Sequence, residues 1–130
     1  MEGRMIGIPY IEHGRDYSGA DCWGIVFLFY RDILKRPIPS YVAEMQARSF
    51  HRRDIGALIE DERAEHWVEV PEPAHGDVVL MRTGRAESHV GIYLKGARIL
   101  HSEGEPGSYI VRADDMRIRF RLVGYFRRRT

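Results

Sequence analysis

The stretch Asp21-Cys22-Trp23-Gly24-Ile25-Val26-Phe27-Leu28-Phe29-Tyr30 decides how the chain is built. Asp21 is of a type that accepts hydrogen bonds from the unpaired N–H groups of a helix start, and it stands directly before a strongly apolar run. Within that run Cys22, Ile25, Val26, Phe29 and Ile33 follow the spacing of one helical face, while Trp23, Phe27 and Tyr30 form a second stripe. A helix apolar on most sides has to be buried, so the pattern predicts a central helix that begins at Cys22. It should stop near Lys35, because Pro37 and Pro39 cannot donate to the helical ladder and bias their predecessors away from helical backbone. Upstream, His13-Gly14-Arg15-Asp16 and Ser18-Gly19 make residues 11–20 turn-rich.

Downstream the pattern changes. Ser40 to Ala64 has the composition of one or two surface helices broken around Arg53 to Gly56, and its function stays open. After Trp67-Val68-Glu69-Val70 and the Pro71-Glu72-Pro73 breaker, four segments read as strands: Asp77 to Arg82, His89 to Leu94, Arg98 to Ser102, and Met116 to Phe126. In the last, Ile118, Phe120 and Leu122 alternate with Arg117, Arg119 and Arg121, as on a strand with one buried face. Helices first and antiparallel strands afterwards predict an α+β domain.

Composition bounds the function. A chain of 130 residues suits a single domain, 1–130, since one core typically takes about 100 to 200 residues. Twenty Lys and Arg against nineteen Asp and Glu give a net charge of +1, which argues against a nucleic-acid partner. The lone cysteine excludes an intrachain disulfide. The start, Met1-Glu2-Gly3-Arg4-Met5, lacks the basic and apolar regions of a signal peptide, and the apolar run from Cys22 to Tyr30 is too short for a membrane span. The expectation is a chain made in the cytoplasm. Arg127, Arg128 and Arg129 form a basic end that either meets a partner or is simply solvated.

The chemistry converges on three residues. A cysteine in the first turn of a helix lies at the positive end of the helix dipole, where thiolate is favoured over thiol, although a lone cysteine on an apolar face is also a common core residue. His89 opens one strand and His101 closes the next, with Lys95-Gly96-Ala97 as the hairpin loop. Twelve positions separate the histidines, so a loop of three or five residues is expected to set them directly opposite on one face. Cys22, His89 and His101 would then be nucleophile, base and orienting group. His13, His51, His66 and His75 read as surface or structural residues. One cysteine with two histidines is also the beginning of a zinc site, but no i, i+4 histidine pair is present, and neither metal nor cofactor is expected.

With those residues in place, the chain resembles the NlpC family of bacterial and phage cell-wall cysteine peptidases, which share a papain-like fold. The resemblance rests on Gly7-Ile8-Pro9-Tyr10, Asp21-Cys22-Trp23-Gly24-Ile25-Val26, His75-Gly76-Asp77-Val78-Val79, Ser88-His89-Val90-Gly91-Ile92-Tyr93 and Ile99-Leu100-His101, in that order. It implies a nucleophile at a helix N-terminus packed on an antiparallel sheet, and catalytic roles for Cys22, His89 and His101. It also implies substrate or oxyanion contacts around Tyr10, Asp21, Trp23 and Ser88, although Tyr10 reads equally well as a packed aromatic. The family hydrolyses amide bonds in peptidoglycan stem peptides, commonly between γ-D-glutamyl and a diamino acid. Trp23 stands where the bacterial enzymes usually carry a serine that contributes to substrate recognition, which leaves the bond cleaved open. Trp23-Gly24-Ile25-Val26 and Arg82-Thr83-Gly84-Arg85 are similar to the tail-associated members of phages and gene-transfer particles. That similarity implies tail-tip partners, delivery to the periplasm or wall of a target cell, and a structural or plug role as the alternative.

Overall fold

The computed structural model describes residues 2–42, 66–84 and 86–129, without the side chains of residues 2 and 86–88. The surface helices expected between Ser40 and Ala64 fall almost wholly outside the described residues.

Asp21 caps the helix as expected: its backbone is extended and its carboxylate accepts from the Gly24 N–H at 2.8 Å. Helix α1 (Cys22–Leu28) then runs into one wider π turn over Phe29–Ile33, where Leu34 N–H reaches back to the Phe29 carbonyl at 3.1 Å. Lys35 takes a left-handed φ of 57° and ends the helix ahead of Pro37. Before α1, a two-stranded ribbon, β1 (Arg15–Asp16) with β2 (Gly19–Ala20), folds the turn-rich segment back on itself.

Among the described residues the main sheet is antiparallel, six-stranded, and ordered β3-β8-β4-β5-β6-β7. Its strands are β3 (Trp67–Val70), β4 (Val78–Thr83), β5 (Ala86–Leu94), β6 (Arg98–Ser102), β7 (Ser108–Arg112) and β8 (Leu122–Arg128). Both faces are covered, which is why β4 reads as an unbroken apolar run rather than an alternation. Val78, Leu80, Val90, Ile92, Leu94 and Leu100 pack with the buried side of α1. Val79, Met81 and Ile99 face the other way, with Ile118.

The sequence expectation fails for Met116 to Phe126. Residues Met116–Arg119 form one helical turn, α2, capped by Asp115, whose carboxylate accepts from Arg117 N–H at 2.9 Å and pairs with the Arg117 guanidinium at 3.0 Å. Ile118 goes into the core while Phe120 is 79% exposed, so the apparent alternation is not a strand face. A single helical turn buries one residue in four as readily as a strand buries one in two, and the local cap decides between them. The strand begins only at Leu122. In the main sheet two short strands, β3 and β7, were not expected; each gains its hydrogen bonds from a distant partner, β8 and β6 respectively.

The basic end is largely built into the fold. Arg127 makes a two-pronged ion pair with buried Asp77, at 3.0 and 2.9 Å, and Arg128 lies over the Trp67 ring. Arg129 is exposed, and its backbone N–H donates to the His66 carbonyl at 2.8 Å. Trp23 sits in the same aromatic region, 1% exposed, against Tyr41 and Trp67, with its indole N–H donating to the Pro39 carbonyl at 3.1 Å.

Close packing at the α1 start gives a direct test. A methyl group at Gly24 would collide with the Gly14 carbonyl and lie 2.8 Å from the Ala20 side chain, whereas one at Gly3 would meet nothing within 4 Å. Gly24→Ala should therefore cost about 1 to 3 kcal/mol in thermal or denaturant unfolding, with Gly3→Ala close to neutral.

Candidate active site

The carboxylate of Asp21 is buried and does more than cap. It also accepts from the His13 backbone N–H at 2.9 Å and from Arg15 Nη1 at 2.7 Å. Arg15 in turn donates to the carbonyls of Gly14 and Ser40, at 2.7 and 3.0 Å. Burial pulls the Arg15 guanidinium below its ordinary range, and Asp21, then Cys22 and Tyr10, oppose that pull. A cation is thus held in the electrostatic neighbourhood of Cys22 and Tyr10, together with the positive end of α1, and both favour thiolate. Cys22, outside any disulfide, is buried in the first turn.

The direction of α1 brings that turn to the histidine end of the sheet. Ser102 of β6 pairs with Ser108 of β7, Ser108 exchanges backbone hydrogen bonds with Gly7 and Ile8, and Ala20 N–H donates to the Pro9 carbonyl, one residue before Asp21. At the other end of the helix, the Tyr30 hydroxyl donates to the Gly76 carbonyl at 2.5 Å, and Gly76 N–H donates to Tyr93. The helix therefore runs across β5 and β6 from the His101–Ser102 end to the Tyr93–Leu94 end.

His89 and His101 meet, but not as directly opposed residues. The hairpin loop is Lys95-Gly96-Ala97, with left-handed φ at Gly96 and Ala97. It is centred on Gly96, so Leu94 pairs with Arg98 and His101 stands opposite Gly91. The expectation of direct opposition is corrected to a diagonal pair on one face. Gly91 presents no side chain between them, and a Cβ there would approach the Leu100 carbonyl to 2.9 Å and the His101 Cβ to 3.1 Å. Across that gap His89 Nε2 and His101 Nδ1 are hydrogen-bonded at 2.8 Å. Both rings share the strand phase of Tyr93 and Ile99, not that of the seam under α1, and Tyr109 packs on His101 with centroids 4.7 Å apart.

Burial pulls His101 down to about 4; Glu103 opposes the shift and Arg121 adds to it. His101 is therefore neutral near pH 7. As a neutral ring accepting at Nδ1, it carries its proton on Nε2, an atom with no hydrogen-bond partner among the described residues. In that tautomer pair His89 donates from Nε2, and its Nδ1 carries no proton. The opposite tautomer pair, in which His101 donates from Nδ1 to His89 Nε2, fits the same 2.8 Å contact.

Sequence reading missed Glu103 and Arg121. Glu103 Oε2 lies 4.0 Å from His89 Nδ1, and Arg121 holds both carboxylate oxygens, at 2.8 and 2.5 Å. No motif marks either residue, because Glu103 lies in the turn after β6 and Arg121 was assigned to the misread strand. His89, His101 and Glu103 offer nitrogen and oxygen atoms within 4.8 Å of one another. That spacing alone would admit a cation, but the two rings are joined by a hydrogen bond and the carboxylate is committed to Arg121, so these atoms are not open ligands.

The remaining expected residues sort themselves by geometry. Asp21 is the helix cap, and Trp23 turns its side chain into the aromatic core rather than toward a substrate. Ser88 is the extra residue of a bulge, since Met81 pairs with His89 and Arg82 with Glu87. His75 Nδ1 accepts from Lys95 N–H at 3.0 Å and the ring packs on Phe29, a structural role as expected.

The NlpC/P60 family profile matches residues 7–120, which include Tyr10, Cys22, His89, His101 and Glu103. The chain belongs to the NlpC/P60 family. This NlpC/P60 chain is 33% identical over 102 residues to the murein DD-endopeptidase MepH of Escherichia coli K12, covering 76% of the chain and 32% of MepH. It thus spans about a third of that relative. Among solved structures, it is similar to the NlpC/p60 domain of the peptidoglycan hydrolase SagA, with a TM-score of 0.60 and 23% identity over 95% of this chain and 89% of that one. It also matches an NlpC/P60 protein of Staphylococcus aureus, TM-score 0.63 and 22% identity, over 95% of this chain and 37% of that one. These structures share its α+β fold. No helix among the described residues is long and apolar enough to cross a membrane.

The buried acid–base groups make folding pH-dependent. His101 titrates near 6.5 when unfolded and near 4 when folded, so its contribution is complete above the first value and lost as pH falls toward the second. Glu103, from 4.5 unfolded to about 2 folded, loses its contribution lower still. Unfolding free energy should therefore fall in two stages on acidification, and His101→Asn should flatten the upper stage in a urea titration series.

Proposed function

We propose that this chain is a cysteine endopeptidase acting on the peptide stems of peptidoglycan. The observation that carries the reading is the buried His89–His101 pair, joined at 2.8 Å, together with Cys22 at the start of the capped helix. In this mechanism His89 Nδ1 takes the thiol proton, and His101 holds the imidazole from the far side. Thiolate sulfur then attacks the amide carbonyl, and the negative oxygen is met by the Cys22 backbone N–H and by Tyr10. Return of the proton from His89 to the amine nitrogen releases one product and leaves a thioester. Water, deprotonated by His89, hydrolyses the thioester and restores the thiol.

Two bonds compete as substrate. The family resemblance favours the link from γ-D-glutamyl to a diamino acid, while the name of the Escherichia coli relative favours a D,D peptide bond in murein. Trp23 bears on the choice, because the position that is usually serine in the bacterial enzymes is built here into the core against Tyr41 and Trp67. Delivery at a phage-like tail tip to the periplasm or wall is proposed from the same Trp23-Gly24-Ile25-Val26 segment, with a structural or plug role there as the second reading.

Digestion of purified muropeptides by wild type and by Cys22→Ala, read by mass spectrometry, separates these outcomes. Wild type should release new stem fragments whose masses identify the bond, and Cys22→Ala should release none. Iodoacetamide should also modify Cys22 faster than an ordinary thiol below about pH 8, given the ordinary thiol pKa of about 8.5. No cleavage by a folded wild type, together with slow alkylation, would sink the peptidase reading.

A further inference from the structure

Glu103 occupies a position that the mechanism above leaves unused. Its Oε2 is 4.0 Å from His89 Nδ1, the nitrogen not engaged by His101. That distance is too long for the carboxylate to take the Nδ1 hydrogen bond away from a thiol, yet short enough for its charge to act on the ring. Arg121 fixes the separation. Its Nη1 and Nη2 grip the two oxygens of Glu103, while its Nε donates to the Arg82 carbonyl at 2.7 Å, anchoring the guanidinium to β4. Thr83 adds a longer hydrogen bond to Glu103 at 3.4 Å.

In the mechanism above Cys22 becomes an anion beside His89 only on losing its proton, whereas Glu103 carries its charge throughout. His101 from β6 is held neutral, Tyr109 from β7 packs on His101, and the β4 residue paired with His89 is the apolar Met81. Cys22 and Tyr10 lie with Arg15 at the α1 start. Glu103 is thus the carboxylate facing His89 among the described residues, and its burial, which pushes it up, is outweighed by Arg121 and by His89, which bring it down to about 2. It stays anionic throughout the range in which a histidine titrates.

We propose that Glu103 is a positioning residue for His89, stabilising the imidazolium formed when Cys22 loses its proton, and that Arg121 sets how much of that charge the ring feels. The inference rests on the peptidase reading for its catalytic meaning, but the electrostatic coupling is measurable without turnover. Arg121 acts in two ways: it offsets the carboxylate charge, and it restrains Glu103 from moving onto Nδ1 and competing with the thiol.

The test is an NMR titration of the His89 imidazole in the full chain, for wild type, Glu103→Gln and Arg121→Gln, beside the pH profile of kcat/KM on muropeptides. Glu103→Gln keeps the shape and removes the charge, and should shift the His89 protonation equilibrium roughly tenfold toward the neutral ring. Arg121→Gln should shift it the opposite way, and Arg121→Lys should return it toward wild type. The basic limb of the kcat/KM profile should follow these shifts. An unmoved His89 in folded Glu103→Gln, or movement in the same direction in both Gln variants, would overturn the proposal. Opposite shifts in a protein that cleaves no muropeptide would uphold the coupling while rejecting the peptidase reading; cleavage by wild type with unmoved shifts would do the reverse.

Discussion

The buried carboxylate of Asp21 gathers the Gly24 N–H, the His13 N–H and the Arg15 guanidinium onto one pair of oxygens. A charge so far from water is tolerated only when its acceptor sites are filled and a cation is at hand. Meeting that requirement forces the turn-rich segment to fold against the helix start, brings Arg15 inward to reach Gly14 and Ser40, and sets the direction in which α1 leaves. The close approach of Gly24 to Gly14 and Ala20 is the steric counterpart of the same junction. Cys22 inherits its place from this arrangement: one residue past the cap, at the positive end of the helix and in the field of Arg15.

The sheet supplies the other half of the site by being covered on both faces. One strand phase is packed under α1, and the other carries His89, Gly91 and Tyr93 on β5 with Ile99 and His101 on β6. Burial keeps His101 neutral, so it can accept from His89 rather than stand beside it as a second cation. The ion pair of Glu103 and Arg121 then places a negative charge near the His89 imidazole. The NlpC/P60 family match covers residues 7–120, and the SagA domain shares the α+β fold.

Much of this was legible in the residues. The α1 boundaries, its Asp21 cap and its proline stop depend on contacts within a turn or two, so local spacing carries them. Strands β4 to β6 showed as β-branched runs between turn residues, and the His89–His101 pair showed as a parity. Met116 to Phe126 misled because a short i, i+2 pattern serves a capped helical turn as well as a strand, and Asp115 settles which. Strands β3 and β7 were too short to stand out before their partners β8 and β6 were known.

By itself the sequence determined the buried helix, the position of the thiol at its start, and the two histidines on one strand face, because periodicity and capping act between near neighbours. Only the tertiary structure decided that His101 stands opposite Gly91, that Trp23 belongs to the core with Trp67, and that Arg121 holds Glu103 beside His89. Those relations depend on strand register and on which distant segments share a sheet face. A hairpin centred one residue away would change every pairing without changing any local preference.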